Sequence, residues 1–368
     1  MKIFVVGTRG IPDIPGGVEK HCQELYPLIV ALGHEVLLAT RRSYIVNPQA
    51  EWQGVRLIHI FCPRNKSLEA IVHTLAAILK ARWLNPDIVH IHAVGPGLMA
   101  PLARLLGLRV VFTNHGPDYD RQKWGAVARM MLRLGEYLGG RFANEVIVIS
   151  RVIAEIVTKR CGRSSHLIYN GVPLPIRSKA TSFLERRGIR PGGYILAVAR
   201  FVPEKGLHDL IAAFREVRGD YQLVIAGDAD HETEYSRKLK EMAAVDKRVV
   251  LPGYVTGENL AQVFSHASLF VLPSYHEGLP IALLEAMSYG LSTLVSDIPA
   301  NLQVELPPER FFRCGDVEEL GAKMRTFLQQ VLPASEQQEL KRIIQENYDW
   351  RKIAEQTVVV YKNASSAA

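Results

Sequence analysis

The 368-residue sequence predicts an α/β protein made of two Rossmann-like, doubly wound domains that face a cleft. Three observations lead to this fold class. The chain is longer than one hydrophobic core usually serves. Short β-branched runs alternate with amphipathic helical patterns, as in parallel sheets covered by helices. The alternation stops once, at "YNGVPLPIRSKATS", whose Pro, Gly and Ser content is typical of a linker, and then begins again.

The first domain is predicted over residues 1–172. Helical patterns lie between several of its strands, for example over residues 18–32 and 98–106, where apolar residues recur every three or four positions. The predicted strands read "KIFVVG", "HEVLLAT", "VRLIHIF", "DIVHIHA", "RVVFTNHG" and "NEVIVIS". This alternation predicts a parallel sheet wrapped by helices.

The second domain is predicted over residues 173–348. Helical patterns over residues 207–217 and 282–289 separate some of its strands. The predicted strands read "YILAVAR", "YQLVIAGD", "RVVLPGY", "SLFVLPS" and "LSTLVSD". The remaining residues, 349–368, include "DWRKIAEQTVVVYKN" and predict a C-terminal helix and tail that could pack on either domain.

The composition is that of a globular protein, because 48% of the residues are apolar and 22% are charged. No run of eighteen uncharged apolar residues occurs, and "MKIFVVGTRG" lacks the pattern of a signal peptide. We therefore expect a cytoplasmic protein without a membrane-spanning helix. No C-x-x-C spacing occurs among the cysteines, which argues against a zinc site and against a disulfide framework. The four thiols are expected in the cores, at Cys22, Cys62, Cys161 and Cys314.

Positive charge is concentrated in the first half of the chain. Residues 1–170 contain 21 Lys and Arg against 12 Asp and Glu, and the remaining residues contain 23 against 25. This asymmetry suggests that the first domain faces a polyanion or an anionic membrane surface. Nucleic acid is the weaker partner, since the sequence has no arginine-aromatic repeat and no DNA-binding motif.

Ligands in doubly wound sheets bind at the carboxyl ends of the strands, so the chemistry is expected in strand-to-helix loops. The first such loop, "GTRGIPDIPGGVEKH", lacks G-x-G-x-x-G spacing, which argues against a dehydrogenase. Gly16 and Gly17 stand where a helix begins, so their N–H groups could approach an anionic group. The alternative is a sharp turn that needs a positive φ.

The loop "TNHGPDYDRQKW" follows the fifth predicted strand and carries His115. An imidazole at this end of the sheet could donate a hydrogen bond to a phosphate or a sugar hydroxyl. A single histidine is more often a structural hydrogen-bonding group. Its role therefore depends on its neighbours in space.

The loop "AVARFVPEKGLHDL" carries Arg200 and Lys205 just before a predicted helix that starts near Gly206. Arg offers a planar fork for phosphate oxygens and Lys a mobile point charge, so together they suit a diphosphate. The alternative is two solvated charges that flank a turn.

Glu277 and Glu285 are two carboxylates in the mostly apolar stretch "PSYHEGLPIALLEAM". "LFVLPS" predicts a buried strand, and "LPIALLEAMSYG" predicts a helix with Pro280 near its first position and Gly290 near its end. A buried carboxylate needs hydrogen-bond donors. Vicinal hydroxyls of a sugar or ribose are suitable donors, and Lys or Arg side chains of the protein are the alternative.

These motifs together resemble the retaining GT-B glycosyltransferases of family 4, whose signature is E-x7-E. Glu277 and Glu285 have this spacing, with "AVARFVPEKG" upstream and the Gly-Gly loop near the start of the chain. The opening "GTRGIPDIPGGVEKH" also resembles a subgroup of bacterial polysaccharide and rhamnosyl-type transferases. The resemblance covers nearly the whole chain. It implies an acceptor-binding first domain and a second domain that binds a nucleotide sugar.

The resemblance implies a role for each matching side chain. In such enzymes the second Glu, here Glu285, holds the ribose hydroxyls of the nucleotide. The first, here Glu277, contacts hydroxyls of the transferred sugar. Arg200 and Lys205 match the pair that clamps the diphosphate, and His115 matches a histidine near the donor sugar and its phosphate.

The resemblance also implies backbone contacts to the donor. Gly16 and Gly17 match glycines that approach the phosphates. Backbone N–H groups complete the implied anion site at Gly278, Leu279 and Ile281. Pro280 stands where many members of the family have Gly, so one backbone donor is missing there.

The implied mechanism is a transfer in which negative charge develops on the leaving diphosphate, where Arg200, Lys205 and helix N-termini could stabilise it. Family resemblance implies retention of configuration by front-face attack, with the leaving phosphate accepting the acceptor's proton. No cofactor and no metal site are expected. "GDAD" at residues 227–230 offers a superficial D-x-D, but Arg and Lys already supply the positive charge.

A basic amphipathic segment, "YDRQKWGAVARMMLRLGEYLGGRFANE", is a candidate for contact with a membrane surface. Its basic residues are Arg121, Lys123, Arg129, Arg133 and Arg141, among the apolar Trp124, Met130, Met131, Leu132, Leu134 and Leu138. The alternative is a core-packing helix with a solvated basic face. Transferases that resemble this one often extend lipid-linked acceptors, so we expect peripheral membrane association.

Other classes of protein fit part of this pattern. A sugar-nucleotide epimerase of the same two-domain build is the alternative enzyme, and a nucleotide-sugar-binding protein is the alternative without catalysis. The expected partners are a nucleotide-sugar donor, a glycan or lipid-linked acceptor and an anionic membrane surface. The identity of the base, the sugar and the acceptor does not follow from the sequence.

Overall fold

The computed structural model describes residues 1–14, 16–45, 48–63, 69–116, 119, 125–229 and 231–366. The chain forms two compact units, one of Met1–Gly171 together with Asp349–Ala368, the other of Val172–Tyr348. The change of unit falls within the predicted linker, and the C-terminal helix belongs to the first unit. Among the helices of the described residues, none is long and apolar enough to cross a membrane.

The first unit is built on a sheet whose described strands follow the order β3-β4-β2-β1-β5-β6-β7-β8. Neighbouring strands are parallel, except that β3 is antiparallel to β4. The strands are β1 (Lys2–Val6), β2 (Glu35–Arg41), β3 (Glu51–Trp52), β4 (Val55–Ile60), β5 (Ile88–His92), β6 (Val110–Asn114), β7 (Glu145–Val148) and β8 (His166–Leu167).

Helices cover both faces of this sheet, as its continuous apolar strands require. They are α1 (Gly17–Ala31), α2 (Glu69–Leu84), α3 (Ala100–Leu105), α4 (Ala126–Phe142), α5 (Arg151–Cys161) and the last helix, α14 (Trp350–Ser366), with 3-10 turns at Arg42–Tyr44 and Pro96–Met99. α14 packs against α1. Their contact buries Tyr26 and Tyr361 in one apolar cluster with strand residues such as Ile3.

The second unit contains a sheet whose described strands, all parallel, follow the order β11-β10-β9-β12-β13-β14. The strands are β9 (Tyr194–Val198), β10 (Gln222–Ala226), β11 (Val249–Gly253), β12 (Leu269–Leu272), β13 (Thr293–Ser296) and β14 (Phe311–Phe312). The helices are α6 (Ser182–Arg186), α7 (Leu207–Phe214), α8 (Glu234–Ala244), α9 (Gly257–Ser265), α10 (Ile281–Ser288), α11 (Pro299–Leu302), α12 (Val317–Leu328) and α13 (Ala334–Asn347), with 3-10 turns at Pro203–Lys205 and Pro308–Arg310.

The predicted fold class, two Rossmann-like α/β units, is confirmed. Each predicted strand is present, whereas β3, β8 and β14 escaped prediction because two residues give no periodicity. In each sheet the strand order reverses at one point, where β1 lies between β2 and β5, and β9 lies between β10 and β12. Ligands of open α/β sheets bind at such a point, beyond the carboxyl ends of the strands.

Candidate functional site

Two predicted site residues of the second unit are in direct contact. The Lys205 ammonium, at the end of the turn after β9, donates to Glu277 Oε1 at 2.6 Å, and Glu277 lies in the loop after β12. The Ser274 hydroxyl donates to the same oxygen at 2.7 Å. The two charged side chains are only 18% and 9% exposed. The pairing of Glu277 with a protein cation, left open by the sequence, is therefore present in the structure.

The backbone holds these two loops together. The Tyr275 N–H donates to the Glu204 carbonyl at 2.9 Å. Gly206 follows Lys205 with a φ of 61°, and a Cβ added to it would lie 2.1 Å from the Pro273 carbonyl oxygen. Glycine is needed here both for its positive φ and because the two loops approach so closely. The Lys205–Glu277 pair is thus placed by main-chain geometry.

Glu285 lies on α10, half-buried, and Glu277 lies in the loop that enters this helix, as predicted. Pro280, predicted near the first helical position, is the N-cap residue of α10, with a non-helical ψ of 73°. Gly290 does stand just beyond the C-terminal end, with a φ of 64°.

The predicted backbone anion site before α10 needs a correction at one position. The Ile281 N–H donates to the Leu279 carbonyl at 2.9 Å, so in this structure it closes a turn and does not point to a ligand. Gly278 and Leu279 remain the candidate backbone donors. Leu279 is buried and Gly278 is half-buried.

Arg200 is exposed and lies two residues beyond the end of β9, at the same edge of the sheet as the Lys205 turn. Sequence reasoning missed the polar residues that surround this edge. The Tyr275 hydroxyl donates to Asp209 Oδ2 at 2.6 Å, and the Tyr275 ring stacks on His208. The hydrogen bond to Asp209 and partial burial raise the pKa of Tyr275 to about 12. The signal in the sequence was Tyr275, an aromatic residue two positions before Glu277.

In the first unit, α1 begins at Gly17 after Gly16, whose φ is 151°. The first turn of α1 also carries the buried Glu19, which Arg9 contacts through its Nε at 3.1 Å and its backbone N–H at 3.0 Å. A Cβ on Gly16 would lie 1.9 Å from Glu19 Oε2. The helix N-terminus predicted for a phosphate is therefore next to a carboxylate of the protein itself, with an arginine beside it.

His115, one residue beyond β6, is half-buried and belongs to a cluster with the buried His21 and His92. Its Nε2 lies 2.9 Å from Nδ1 of His92, the last residue of β5. The other nitrogen of His92 lies 2.5 Å from the Tyr26 hydroxyl, and His21 Nδ1 lies 2.6 Å from Asn170 Oδ1. The rings of the three histidines are in contact, with centroids 4.9, 5.2 and 5.4 Å apart.

These imidazoles are neutral near pH 7. Burial lowers the pKa of His21 to about 4, although its hydrogen bond to Asn170 opposes the effect. Burial also lowers the pKa of His90, His92 and His115 well below the usual range. Sequence reasoning considered His115 alone. The motif "HIH" of β5 was the missed signal, because residues two apart in a strand share a face.

Among the described residues, one group has the composition of a metal site: His21, His92 and His115 each have a nitrogen within 4.8 Å of the others. Neutral imidazole is a metal ligand. However, the ring centroids of His92 and His115 are 5.2 Å apart. This distance equals the 2.9 Å between His92 Nδ1 and His115 Nε2 plus the distance from each nitrogen to its own ring centroid. The two nitrogens therefore face each other along one line, as in a hydrogen bond, and do not converge on a third atom.

The "GDAD" loop shows an ordinary ion pair. Asp228 contacts Lys240 at 2.9 Å. Burial opposes ionisation of Asp228, but the hydrogen bonds from Lys240 and the Ala229 N–H outweigh it and lower the pKa of the carboxyl group. Asp230 lies outside the described residues, as do Arg121, Lys123 and Trp124 of the predicted basic segment.

Two protein families match the chain in succession. Residues 15–174 match the family described as Glycosyltransferase Family 4, and residues 186–350 match the one described as Glycosyl transferases group 1. Each match falls on one of the two Rossmann-like units. The chain is a GT-B glycosyltransferase. Its assignment to a retaining subgroup with the E-x7-E signature stays a prediction.

Curated relatives extend over both units of this glycosyltransferase. Glycogen synthase of Mycobacterium tuberculosis is 26% identical, over 98% of this chain and 94% of that protein. The putative teichuronic acid biosynthesis glycosyltransferase TuaC of Bacillus subtilis is also 26% identical, over 64% of this chain and 58% of that protein.

Solved structures share the fold over the full length. Sucrose-phosphate synthase from Thermosynechococcus elongatus superposes with a TM-score of 0.85 at 21% identity and covers 100% of both chains. HepE from Anabaena, solved in complex with UDP-glucose, superposes with a TM-score of 0.79 at 17% identity, over 97% of this chain and 98% of that one. At these identities the likeness concerns the fold of the glycosyltransferase and not its substrates.

Proposed function

We propose that this glycosyltransferase moves a sugar from a nucleoside-diphosphate sugar to a hydroxyl group of a glycan or lipid-linked acceptor. The observation that carries the proposal is the contact between Lys205 and Glu277 at the strand-order reversal of the second unit. A cation for a diphosphate and a carboxylate for sugar hydroxyls lie side by side there. The solved complexes of HepE with UDP and UDP-glucose support a donor of this class.

The Glu277 carboxylate is suited to bind a sugar while it still holds Lys205. Both of its donors, Lys205 and Ser274, bind Oε1. Among the described residues no hydrogen bond reaches Oε2, which is the oxygen we assign to a sugar hydroxyl. Lys205 and Arg200 stabilise the negative charge that develops on the leaving diphosphate. Glu285 holds the ribose.

In the first unit, we propose that His115 donates a hydrogen bond to the donor sugar or its phosphate, and that the N–H groups of Gly16 and Gly17 approach the phosphates. The Arg9–Glu19 pair at the start of α1 is compatible with this role if the arginine reorients toward an incoming anion. Replacement of His115 by Ala, with turnover measured on the folded enzyme, tests its assignment.

We also propose that transfer retains the anomeric configuration and needs no metal ion or other cofactor. The support is electrostatic, because Arg200 and Lys205 both follow β9 at one edge of the sheet and Asp228 is paired with Lys240. The anomeric proton coupling of the product, measured by NMR during the first turnovers, tests retention. A product of inverted configuration would contradict it.

The acceptor is proposed to belong to bacterial cell-surface polysaccharide synthesis, to which the name of TuaC also points. The central experiment is a donor screen by thermal shift, followed by assay of nucleotide release with and without glycan acceptors. Release that depends on an acceptor supports a transferase. An epimerase would convert the donor without an acceptor, and a binding protein would be stabilised by the donor without turnover.

Peripheral membrane association is proposed for α4. The exposed side of this helix is apolar, since Val127, Met130, Leu134 and Tyr137 are 69%, 65%, 48% and 44% exposed. Exposed arginines lie on the same helix, at Arg129, Arg133 and Arg141. The buried side consists largely of Gly135, Glu136, Gly139 and Gly140. Met131, Leu132 and Leu138 are half-buried, but the four exposed apolar residues do not pack on the core, which favours an anionic lipid surface as their partner.

Co-flotation with vesicles of varied anionic lipid content tests this surface. We expect binding that rises with lipid charge and falls with salt, and that is lost in Arg129→Glu and Leu134→Glu. Arg237→Glu, an exposed arginine on α8 of the second unit, is the matched control. Binding that ignores lipid charge and salt, or no binding, would favour a soluble acceptor.

A further inference from the structure

The hydrogen bonds of His115 continue into the interior of the first unit. Beyond His92, the Tyr26 hydroxyl of α1 lies 2.5 Å from His92 Nε2 and 2.9 Å from His90 Nδ1. The Tyr361 hydroxyl of α14 lies 2.7 Å from the same nitrogen of His90. These five side chains, the histidine-tyrosine relay, connect the end of β6 to the C-terminal helix.

We propose that Tyr26 and Tyr361 fix the tautomer of His115, so that its Nε2 accepts a hydrogen bond from His92 and its Nδ1 carries the proton. Tyr26, His92 and Tyr361 are then positioning residues that act through His115. The proposal rests on the proposed function only where His115 is taken to contact the donor substrate. The tautomer itself is a property of the free enzyme.

The number of protons on the two histidines limits their possible tautomers. His92 is neutral, so it carries one N–H, yet both of its nitrogens form hydrogen bonds. If Tyr26 donates to His92 Nε2, the proton of His92 is on Nδ1 and points at His115 Nε2. His115, also neutral, must then carry its proton on Nδ1. If Nε2 of His92 donates to Tyr26 instead, the direction of these hydrogen bonds reverses. His115 then donates from Nε2, and its Nδ1 carries no proton.

The acidity of the groups selects the first order. A phenol is a better proton donor than a neutral imidazole, and an imidazole nitrogen is a better acceptor than a phenol oxygen. Two O–H···N bonds form when Tyr26 donates to His92 and Tyr361 donates to His90, whereas the reversed order retains one. The contacts agree, because His90 Nδ1 has the Tyr361 hydroxyl as a second donor, whereas Tyr26 is the one hydroxyl that contacts His92 Nε2 among the described residues. Tyr361 thus leaves the Tyr26 proton free for His92.

The far end of the relay is compatible with this order. His90 accepts from Tyr361 on Nδ1 and therefore carries its proton on Nε2, which lies 2.7 Å from the Thr113 hydroxyl oxygen. This oxygen can accept. All members of the relay are buried or half-buried, so water does not readily replace a missing partner.

The consequence concerns what His115 can do. An Nδ1–H on an uncharged imidazole donates a hydrogen bond to an oxygen of a phosphate or a sugar and cannot act there as a base. Among the described residues, His115 Nδ1 has no hydrogen-bond partner. In the proposed reaction His115 is thus a neutral donor to the substrate, and its orientation depends on a tyrosine of the last helix.

The tautomer can be measured directly by ¹⁵N NMR of the full-length enzyme labelled at histidine, without substrate. We expect His115 to be protonated at Nδ1 in the native enzyme and to become a mixture of tautomers in Tyr26→Phe and in Tyr361→Phe. Tyr194→Phe is the matched control, because it also removes a buried tyrosine hydroxyl, which donates to the Val263 carbonyl in the second unit. It should leave the His115 signals unchanged.

Kinetics provide the second measurement. We expect kcat to fall about tenfold or more in Tyr26→Phe, with a smaller loss in Tyr361→Phe, as for other residues that fix a histidine tautomer. Because both hydroxyls act on the same proton, the double variant should be no slower than Tyr26→Phe alone. If Tyr26→Phe does not fold, the tautomer in Tyr361→Phe still decides the question.

Several outcomes would overturn the proposal: Nε2 protonation of His115 in the native enzyme, unchanged tautomers in both variants, or losses that multiply in the double variant. Binding of one equivalent of Zn²⁺ that displaces the relay hydrogen bonds would also do so, since it would make His21, His92 and His115 metal ligands. Failure of the proposed function looks different. In that case the tautomers behave as expected, but His115→Ala keeps full turnover.

Discussion

The strand ends of the two units use opposite chemistry. In the second unit, Lys205 and Glu277 form a mostly buried ion pair at 2.6 Å. In the first unit, His92, His115 and Tyr26 form a neutral hydrogen-bonded network. Both lie at the carboxyl ends of parallel strands, where ligands of such sheets bind. The difference is therefore one of charge and not of position in the fold.

An ion pair presents a charge that can attract a charged ligand, whereas a neutral network can only orient one. The Lys205 ammonium has three N–H groups, so it can donate to a phosphate oxygen while it still holds Glu277. The neutral imidazoles bring no charge, so their contribution is direction. We therefore expect substitutions at the ion pair to affect transition-state stabilisation and changes in the relay to affect geometry and pH response.

The largest expected effect is that of Lys205→Ala. Loss of the ammonium would remove the stabilisation that we propose for the leaving diphosphate, and we expect kcat/KM to fall by an amount worth about 2 to 4 kcal/mol. Lys159→Ala, which removes an exposed lysine of α5, is the control and should be silent. Unchanged turnover of the folded Lys205 variant would contradict the role that we assign to the ion pair of the second unit.

The second prediction concerns the pH dependence of stability that the histidine cluster gives to the first unit. The pKa of His21 is about 4 in the folded protein, compared with 6.5 for an ordinary histidine. Between these two pH values the unfolded chain therefore binds a proton that the folded protein does not. Stability is therefore fully present above pH 6.5 and is lost as the pH falls toward 4, on the order of 3 kcal/mol from this residue. The buried His90, His92 and His115 add in the same direction.

Hydrogen exchange by mass spectrometry can follow the two units separately. Amides of β5 and β6 should lose protection between pH 6.5 and 4 before those of β9 and β10. His21→Gln should flatten the dependence, and His231→Gln, an exposed histidine of the second unit, should not. Equal loss in both units would show that the histidine cluster does not govern acid sensitivity.

The sequence predicted the fold and the charged half of the site more fully than the neutral half. Alternating strands and helices give strong periodic signals, and Lys205 and Glu277 stand in loops directly after strands. Their mutual contact was left open, because it depends on the close approach at Gly206, which no local pattern encodes. The relay was missed because its members come from α1, β5, the end of β6 and α14, which are distant in the sequence and meet only through the tertiary fold.

A third prediction separates the two carboxylates. Glu285→Ala should weaken binding of the bare nucleoside diphosphate by about tenfold, since hydrogen bonds to a charged group are worth about 1.5 to 3 kcal/mol. Glu277→Ala should spare this ligand and weaken the intact sugar nucleotide. Calorimetry with both ligands measures the difference. Equal losses for the nucleotide alone would mean that the two roles are divided wrongly.

The smallest expected effect is that of a chelator. Saturating EDTA should leave transfer activity largely intact, because Arg200, Lys205 and helix N-termini are proposed to neutralise the diphosphate.

The histidine cluster makes this a real test, since His21, His92 and His115 have the composition of a metal site. Their geometry argues otherwise, because the facing nitrogens of His92 and His115 share a hydrogen bond at 2.9 Å, which a bound ion would have to break. Loss of activity that Mg²⁺ or Mn²⁺ restores would point to a metal at the diphosphate. Loss that only Zn²⁺ restores would place an ion among these histidines, and the network of the first unit would then not be neutral.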